Sequence, residues 1–300
     1  MASFWDTPFL QSPLKIILSI VLLIIFIVII VLIIQAQQEK AKNEPVLISY
    51  PVSPVGFGSI ASSKAPLSVT GRESTYNMWI NIRDWDQGYG NYKCILQRSG
   101  SDPFAGGASP SLEDQTPANP SIWLYPKENK LMVRVSTMQD ESNSGYDRSI
   151  YPNYPTVRAS GGKYTIVNPY FLQKSPDRLM EPSEYASPTY VCDVTNIPLQ
   201  RWVQISVVLW NRTLDIYVNG KLVRSCVLPG VPAHLPGSQI WIGASDRSNT
   251  FNGYISRLKY FNRACTAEEI YNMYLAGPLS TGFWWEVLKT KAKLTLDIES

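Results

Sequence analysis

The stretch from Asn196 to Gly230 constrains the fold of this chain more than any other. In residues 201–210, every second position is apolar, which predicts a strand with one buried face: Val203, Ile205, Val207 and Leu209. Residues 214–218 alternate in the same way after a tight turn at Asn211-Arg212. Asn219-Gly220 then suits a type I′ hairpin turn, which requires φ > 0 at both positions. With a third strand over residues 221–228, the stretch predicts an antiparallel meander that needs a second sheet to cover it.

The rest of residues 46–277 also has the pattern of short strands. Tyr76, Met78, Ile80 and Ile82 alternate with polar residues or Trp, and turn-rich segments separate similar runs. One short helix is expected over residues 266–275, because Thr266 and Glu269 have the spacing of a capping box. We therefore predict an all-β antiparallel sandwich.

Two long motifs add a resemblance to a known superfamily. The runs RWVQISVVLWNRTLDIYVNGKLV and IWIGASDRSNTFNGYISRLKYFNRACTAEEIYNMYLAGP resemble the C-terminal half of a laminin-G or concanavalin A-like jelly roll. TYNMWINIRDWDQGYGNYKCIL and NIPLQRW are similar to membrane-anchored members of that superfamily in large DNA viruses. The resemblance covers roughly residues 45–278 and implies a jelly-roll sandwich. It does not set the function, because this fold hosts lectins, receptors, hydrolases and structural modules.

An apolar run from Ile16 to Ile34 predicts one transmembrane helix. At about 1.5 Å per residue it spans roughly 29 Å, which matches a bilayer core. It follows a leader (residues 1–15) and precedes a polar stalk (residues 35–45). A cleaved signal peptide is the alternative, but the run is long and no A-x-A-like site follows it. Lys15 lies on one side of the run, and Lys40 and Lys42 lie on the other, so the positive-inside count leans slightly towards a cytosolic domain but leaves membrane sidedness open.

Two further segments are candidate partner surfaces. Residues 139–188 form a long insertion rich in Tyr, Pro and Ser, which suits a protein-binding surface. The alternative is an ordered decoration of the sandwich without a partner. In the tail, residues 278–300, apolar residues alternate with polar ones and predict a strand added to a sheet edge of this or another subunit. Trp284 and Trp285 precede three lysines, so contact with a bilayer surface is one alternative, and a disordered tail is the other.

The sequence contains few groups suited to catalysis. It has one histidine, His234, and lacks the G-x-S-x-G, H-E-x-x-H and P-loop motifs. The E-x-D-x-x-E spacing of concanavalin-type glucanases is also missing. We therefore expect no enzyme activity, no catalytic residues and no cofactor-binding residues. A net charge of +3 also predicts no nucleic-acid partner.

Several loop residues are candidates for ligand contact. Lectins stack sugars on exposed aromatic rings and bind their hydroxyl groups through Asp and Asn side chains. The candidate glycan contacts are therefore Trp85 with its neighbours Asp84 and Asp86, and the tyrosines Tyr146, Tyr151 and Tyr154. Packing of Trp85 beneath its own loop is the alternative. Calcium is a weaker candidate ligand for loop oxygens of Asp84, Asp86, Asp246 and Asn249. Ser256 stands where many relatives carry Asp, which argues against a family-type calcium cluster.

The cysteines and one sequon give conditional predictions. Cys192 and Cys226 lie on separate predicted strands and are a candidate disulfide across a sheet. Buried free thiols are the alternative for these two and the expectation for Cys94 and Cys265. Asn211-Arg212-Thr213 is a candidate glycosylation site, which matters if the domain is lumenal.

These observations lead to two hypotheses for a single-pass membrane protein. The first is a structural protein. The viral resemblance implies a minor capsid or virion-membrane component that links a membrane to a protein shell. Its partners would be lipid through the apolar helix, and other capsid or membrane proteins through residues 139–188 and the tail. It would lie in a virion inner membrane or a host-derived membrane. The second hypothesis is a membrane-anchored glycan-binding or adhesion ectodomain.

Overall fold

A computed structural model describes residues 13–104, 117–140, 156–158, 164–167, 192–228 and 231–279. The chain divides into two units, Met1–Asn43 and Glu44–Ser300, and each is described by itself. Tyr146, Tyr151, Tyr154, Trp284 and Trp285 lie outside the described residues. The predictions that concern them therefore stay predictions.

The first unit contains helix α1, Pro13–Asn43. From Ile17 to Ile34 its side chains are exposed on every side, although nearly all of them are apolar. A helix that is apolar all round is suited to a lipid environment. In the described part of the chain, this helix is long and apolar enough to cross a membrane, and a signal sequence has the same properties. It extends through most of the predicted stalk and stops before Pro45, whose ring would clash with a continuing helix.

Two six-stranded antiparallel sheets form the second unit. Sheet I has the strand order β1-β16-β3-β11-β12-β13, and sheet II has the order β10-β6-β5-β4-β15-β2. The strands of sheet I are β1 Val46–Ile48, β3 Glu73–Asp84, β11 Trp202–Trp210, β12 Thr213–Val218, β13 Lys221–Val227 and β16 Asn252–Phe261. Those of sheet II are β2 Gly58–Ile60, β4 Lys93–Ser99, β5 Ala118–Leu124, β6 Lys130–Arg134, β10 Cys192–Thr195 and β15 Gln239–Ile242.

The core lies between the two sheets. Apolar side chains from both inner faces form one buried cluster, which includes Met78, Ile80, Ile95, Ile122, Val203, Ile205 and Ile240. The predicted sandwich and its meander β11-β12-β13 are confirmed. Asn219 and Gly220 have φ values of 50° and 76°, as a type I′ turn requires.

Helix α2, Ala267–Leu275, covers part of the outer face of sheet I. The predicted capping box is present, with Thr266 and Glu269 each accepting a hydrogen bond from the other's backbone N–H. Because α2 packs there, β11 is buried on both faces rather than on the single face that alternation predicted. Val208 lies beneath the helix, and Gln204 Nε2 donates to the carbonyl of Ile270 at 3.1 Å.

A third, smaller sheet has the order β14-β7-β9-β8. Its strands are β7 Thr137–Asp140, β8 Thr156–Arg158, β9 Tyr164–Val167 and β14 Val231–Pro232. Strands β8 and β9 fall within the predicted insertion, residues 139–188. The described part of that insertion therefore contributes regular strands.

Residues 44–60 form a strap that joins the two sheets at the start of the domain. The strand β1 pairs with β16 in sheet I, and β2 pairs with β15 in sheet II. Between them, Val52 bridges to Ile255 and Val55 bridges to Ala244. At the beginning of the strap, Arg263 holds Glu44 at 2.8 Å.

Candidate functional site

Two loops meet at one end of the sandwich and form a loop pair, defined as residues 84–91 and 245–250. Gly88 has φ of 64°, and a Cβ there would lie 2.3 Å from the Ser248 carbonyl oxygen, so the two backbones touch. Gln87 Nε2 donates to the carbonyl of Thr250 at 3.1 Å. Asn252 Nδ2 donates to the Asp84 carboxylate. The candidate residues Asp84, Trp85, Asp86 and Asp246 therefore lie in one neighbourhood.

The carboxylates of the loop pair are mostly used in local hydrogen bonds. Asp84 accepts from Asn252 and from the Gln87 backbone N–H. Asp246 accepts from the backbone N–H and the hydroxyl of Ser248, and the hydroxyl bond comes first among the causes that lower the pKa of Asp246. In the described ranges, no group of three or more His, Cys, Asp or Glu side chains is placed to hold a metal ion. The carboxylates of Asp84 and Asp246 are thus placed to stabilise the loops.

Trp85 packs against the core rather than standing free. Its indole is partly buried against the apolar cluster between the sheets. Lys93 Nζ lies 4.8 Å from the centroid of the Trp85 ring and donates to the Pro126 carbonyl at 3.2 Å. Desolvation lowers the pKa of Lys93 to about 8. The exposed side chains of this loop are Asp86 and Tyr89, the latter 61% exposed, so Trp85 offers little free surface to a sugar.

A second candidate surface lies on the outer face of sheet II. Five side chains stand side by side across five strands, because residues directly opposite each other in antiparallel strands share a face. This polar row consists of Arg134, Ser121, Gln97, Trp241 and Ser59. Ser59 is exposed, Trp241 is partly buried, and the other three are buried.

Hydrogen bonds along the polar row leave two donors unused. Trp123 Nε1 donates to Ser121 Oγ at 2.5 Å, and Ser121 Oγ donates to Gln97 Oε1 at 2.8 Å. Gln97 Nε2 and Trp241 Nε1 are buried atoms without a hydrogen-bond partner among the described residues. A buried donor without an acceptor costs about 1–3 kcal/mol. The two donors belong to directly paired residues of β4 and β15.

At the edge of the row, Ser59 and Gln239 add further polar atoms. Ser59 Oγ donates to Gln239 Oε1 at 2.8 Å, and Ser59 pairs directly with Trp241. The sequence analysis missed Gln97 and Trp241. Alternation of apolar and polar residues assigns Gln97 and Trp241 each to one face of its own strand. It does not show that the two residues are neighbours, because that depends on the register between β4 and β15.

Cys192 and Cys226 form a disulfide with a Cα–Cα distance of 6.0 Å. The bond joins β10 of sheet II to β13 of sheet I, whereas the sequence suggested a link across one sheet. Cys94 and Cys265 are buried free thiols. Burial raises the pKa of Cys265 to about 11. A disulfide between two sheets is typical of proteins that fold in an oxidising compartment.

The sequon residue Asn211 lies in the turn between β11 and β12. Its side chain is exposed and its φ is 55°. The preceding residue, Trp210, is 62% exposed. This turn lies at an end of sheet I, away from any residue of the polar row.

Residues 120–271 match the model of a family described as the concanavalin A-like lectin/glucanases superfamily. No curated protein sequence matches the chain.

Among solved structures, the receptor-binding domain of botulinum neurotoxin mosaic serotype C/D is 12% identical, with a TM-score of 0.37, and the alignment covers 68% of this chain and 36% of that one. A Trypanosoma rangeli sialidase in complex with a difluorinated nononic acid is 11% identical, with a TM-score of 0.38, covering 68% and 23%. The binding domain of botulinum neurotoxin DC, in complex with rat synaptotagmin II, is 11% identical, with a TM-score of 0.34, covering 68% and 36%. The matched region thus spans well under half of the length of each of these chains.

Proposed function

Because this chain belongs to the concanavalin A-like lectin/glucanases superfamily, we propose that it is a non-enzymatic, membrane-anchored protein that binds glycans. The observation that carries the proposal is the pair of unused donors in the polar row, Gln97 Nε2 and Trp241 Nε1. Both belong to directly paired residues of β4 and β15.

The chemistry of the polar row suits a sugar. In this proposal the side chains around the two buried donors shift to admit the ligand, and neighbouring hydroxyl oxygens of a pyranose accept from both N–H groups. The partly exposed indole of Trp241 offers an apolar ring to the C–H face of the same sugar. Ser59 and Gln239, at the edge, supply a hydroxyl and an amide that contact neighbouring hydroxyls of the ligand.

The disulfide and helix α1 support an extracellular or lumenal location. Disulfides persist in oxidising compartments, and the Cys192–Cys226 bond lies inside the folded unit. In this proposal α1 stays in the membrane as an anchor, since its apolar run is longer than that of a signal peptide. Glycans are displayed on the same side of the membrane.

A glycan array tests the proposal. We would probe it with the full chain in lipid nanodiscs, produced in bacteria so that the protein carries no glycan of its own. Trp241→Ala and Gln97→Met each remove one unused donor, and each is expected to weaken binding about tenfold, or about 1.4 kcal/mol. Tyr271→Ala is the control, because Tyr271 is an exposed aromatic residue on helix α2, away from sheet II. Absence of any sugar ligand, or unchanged binding by the Trp241 variant, would contradict the proposal.

A second candidate function is structural, and the edge of sheet I favours it. The terminal strand β13 has exposed apolar side chains at Leu222, Val223 and Val227. Exposed apolar edge strands are sites of pairing with other chains. In this hypothesis the protein is a minor capsid or virion-membrane component that attaches a membrane to a protein shell. Its partner surfaces are residues 139–188 and the tail. Recovery of the protein outside purified membrane-containing particles, and not within them, would exclude this role.

A further inference from the structure

We propose that Asn211 carries an N-linked glycan whose first sugar packs against Trp210. Asn211-Arg212-Thr213 is the one Asn-x-Ser/Thr sequence in the chain with a residue other than proline in the middle. The structure adds three features that the sequence does not contain. They are a fixed turn, an exposed indole beside it, and a disulfide that indicates the compartment.

The turn that carries Asn211 is held at both of its residues. β11 ends at Trp210 and β12 begins at Thr213, so Asn211 and Arg212 alone make the connection. The backbone N–H of Asn211 donates to the Arg72 carbonyl at 3.0 Å. The guanidinium of Arg212 donates twice to the Leu228 carbonyl, at 3.1 and 2.9 Å. The backbone is therefore fixed while the Asn211 side chain points to solvent, where a bulky glycan causes no clash.

Trp210 is placed to receive the first sugar. It precedes Asn211, and 62% of its surface is exposed, which is unusual for an indole at the end of a central strand. Thr213 lies directly opposite Trp210 in the register of β11 and β12, and Val227, 53% exposed, lies opposite Thr213. The three residues share the outer face of sheet I. An N-acetylglucosamine on Asn211 would cover this apolar surface with its C–H face.

The disulfide is the independent observation that indicates the compartment. Sequons are glycosylated in the lumen of the secretory pathway, where disulfides also form. The Cys192–Cys226 bond is part of the same folded unit as Asn211. With the domain in the lumen, α1 acts as an uncleaved signal anchor and leaves the N-terminus in the cytosol.

The modification needs a lipid-linked oligosaccharide diphosphate as its donor. The side-chain nitrogen of Asn211 forms a bond to the anomeric carbon of the oligosaccharide. The bond between that carbon and the phosphate oxygen breaks, and the lipid diphosphate leaves with the electron pair. The amide nitrogen loses one proton, which balances the transfer.

Translation of the full chain with endoplasmic reticulum microsomes tests the modification. We expect a single mobility shift that an amidase specific for N-glycans reverses. Thr213→Ala and Asn211→Gln should abolish the shift, whereas Thr213→Ser, the matched control, should retain it. Glycan transfer takes place on the entering chain before it folds, so a variant that fails to fold still reports. Absence of a shift in the unaltered chain overturns the proposal, and so does a shift that persists in Asn211→Gln.

Thermal unfolding of the glycosylated full chain tests the packing on Trp210. An endoglycosidase that leaves the first sugar on Asn211 should leave the Tm unchanged, whereas the amidase, which removes every sugar, should lower it. In Trp210→Ala the amidase should lower the Tm by less than half as much. Equal decreases in the two proteins overturn the packing.

Discussion

The disulfide between Cys192 and Cys226 should supply a large part of the stability of the sandwich. The bond closes a chain segment with a sequence separation of 34 residues. The chain-entropy relation gives about 12.6 cal/mol/K for such a loop, which is about 3.8 kcal/mol at 25 °C. Reduction, or replacement of both cysteines by alanine, should lower the free energy of unfolding by roughly this amount. Because folded domains are stable by about 5–15 kcal/mol, the reduced protein should retain about 1–11 kcal/mol.

Urea unfolding of the full chain in detergent micelles measures this loss. The sequence of α1 contains no tryptophan, so indole fluorescence does not report on that helix. With an m value of about 2 kcal/mol per molar urea, reductant should lower the midpoint by about 1.9 M. A variant with alanine at both Cys94 and Cys265 should show the same decrease, and Cys192→Ala with Cys226→Ala should show none. A midpoint that reductant does not change in the unaltered chain would refute the reasoning.

Three further predictions concern buried or paired charges. Between pH 8 and about 10.5 the unfolded chain holds a proton on Lys93 that the folded chain, with a pKa of about 8, has lost. The free energy of unfolding should therefore rise with pH in this window, and Lys93→Met should remove the rise. Hydrogen bonds from Arg263 are the largest cause that lowers the pKa of Glu269 from 4.5 to about 2. The stability from this pair should be complete above pH 4.5 and decline as the pH falls towards 2, and Glu269→Gln should flatten that decline. Arg98, which is buried, donates at 3.1 Å to the hydroxyl of Tyr76, so Arg98→Met should destabilise by about 2–4 kcal/mol by leaving buried acceptors unpaired.

Each of these predictions has a result that contradicts it. Parallel stability curves for Lys93→Met and the unaltered chain from pH 8 to 10.5 would show that Lys93 is solvated. An unchanged acid midpoint in Glu269→Gln would show that the ion pair with Arg263 contributes nothing measurable. If Arg98→Met and the unaltered chain unfold at the same urea concentration, the site of Arg98 tolerates an apolar side chain. Urea unfolding monitored by fluorescence serves all three comparisons.

Local patterns predicted the regular elements of the domain because their causes are local. The meander was predicted from the alternation of apolar residues and from Asn219-Gly220. Both of these residues have positive φ, as the type I′ hairpin turn requires. Helix α2 followed from Thr266 and Glu269, three residues apart. In both cases the interacting groups are close together in the sequence, so a single chain segment contains the whole signal.

The features that the sequence did not predict depend on contacts between distant segments. Alternation could not predict that Gln204 is buried, because helix α2, some 60 residues later, covers it. The two donors of the polar row meet through the pairing of β4 with β15, which are more than a hundred residues apart. The disulfide joins two sheets because β10 and β13 lie at edges that face each other, and the spacing of the cysteines contains no information about sheet order.

The strap of residues 44–60 determines how the domain responds to force. In the membrane-anchored protein proposed above, tension on α1 enters the domain at Glu44, because the chain passes from the helix directly into the strap. β1 has only three residues, so it should peel from β16 one hydrogen bond at a time, and the bridge at Val52 should yield next. Complete release of residues 46–60, at about 3.4 Å per residue, would free a segment with a contour length of roughly 50 Å, and the tether would lengthen by that amount less the distance that the strap already spans. The strap is therefore expected to act as a mechanical extension that lengthens under load before the long strands of sheet I separate, and single-molecule pulling would record it as a first, low-force step.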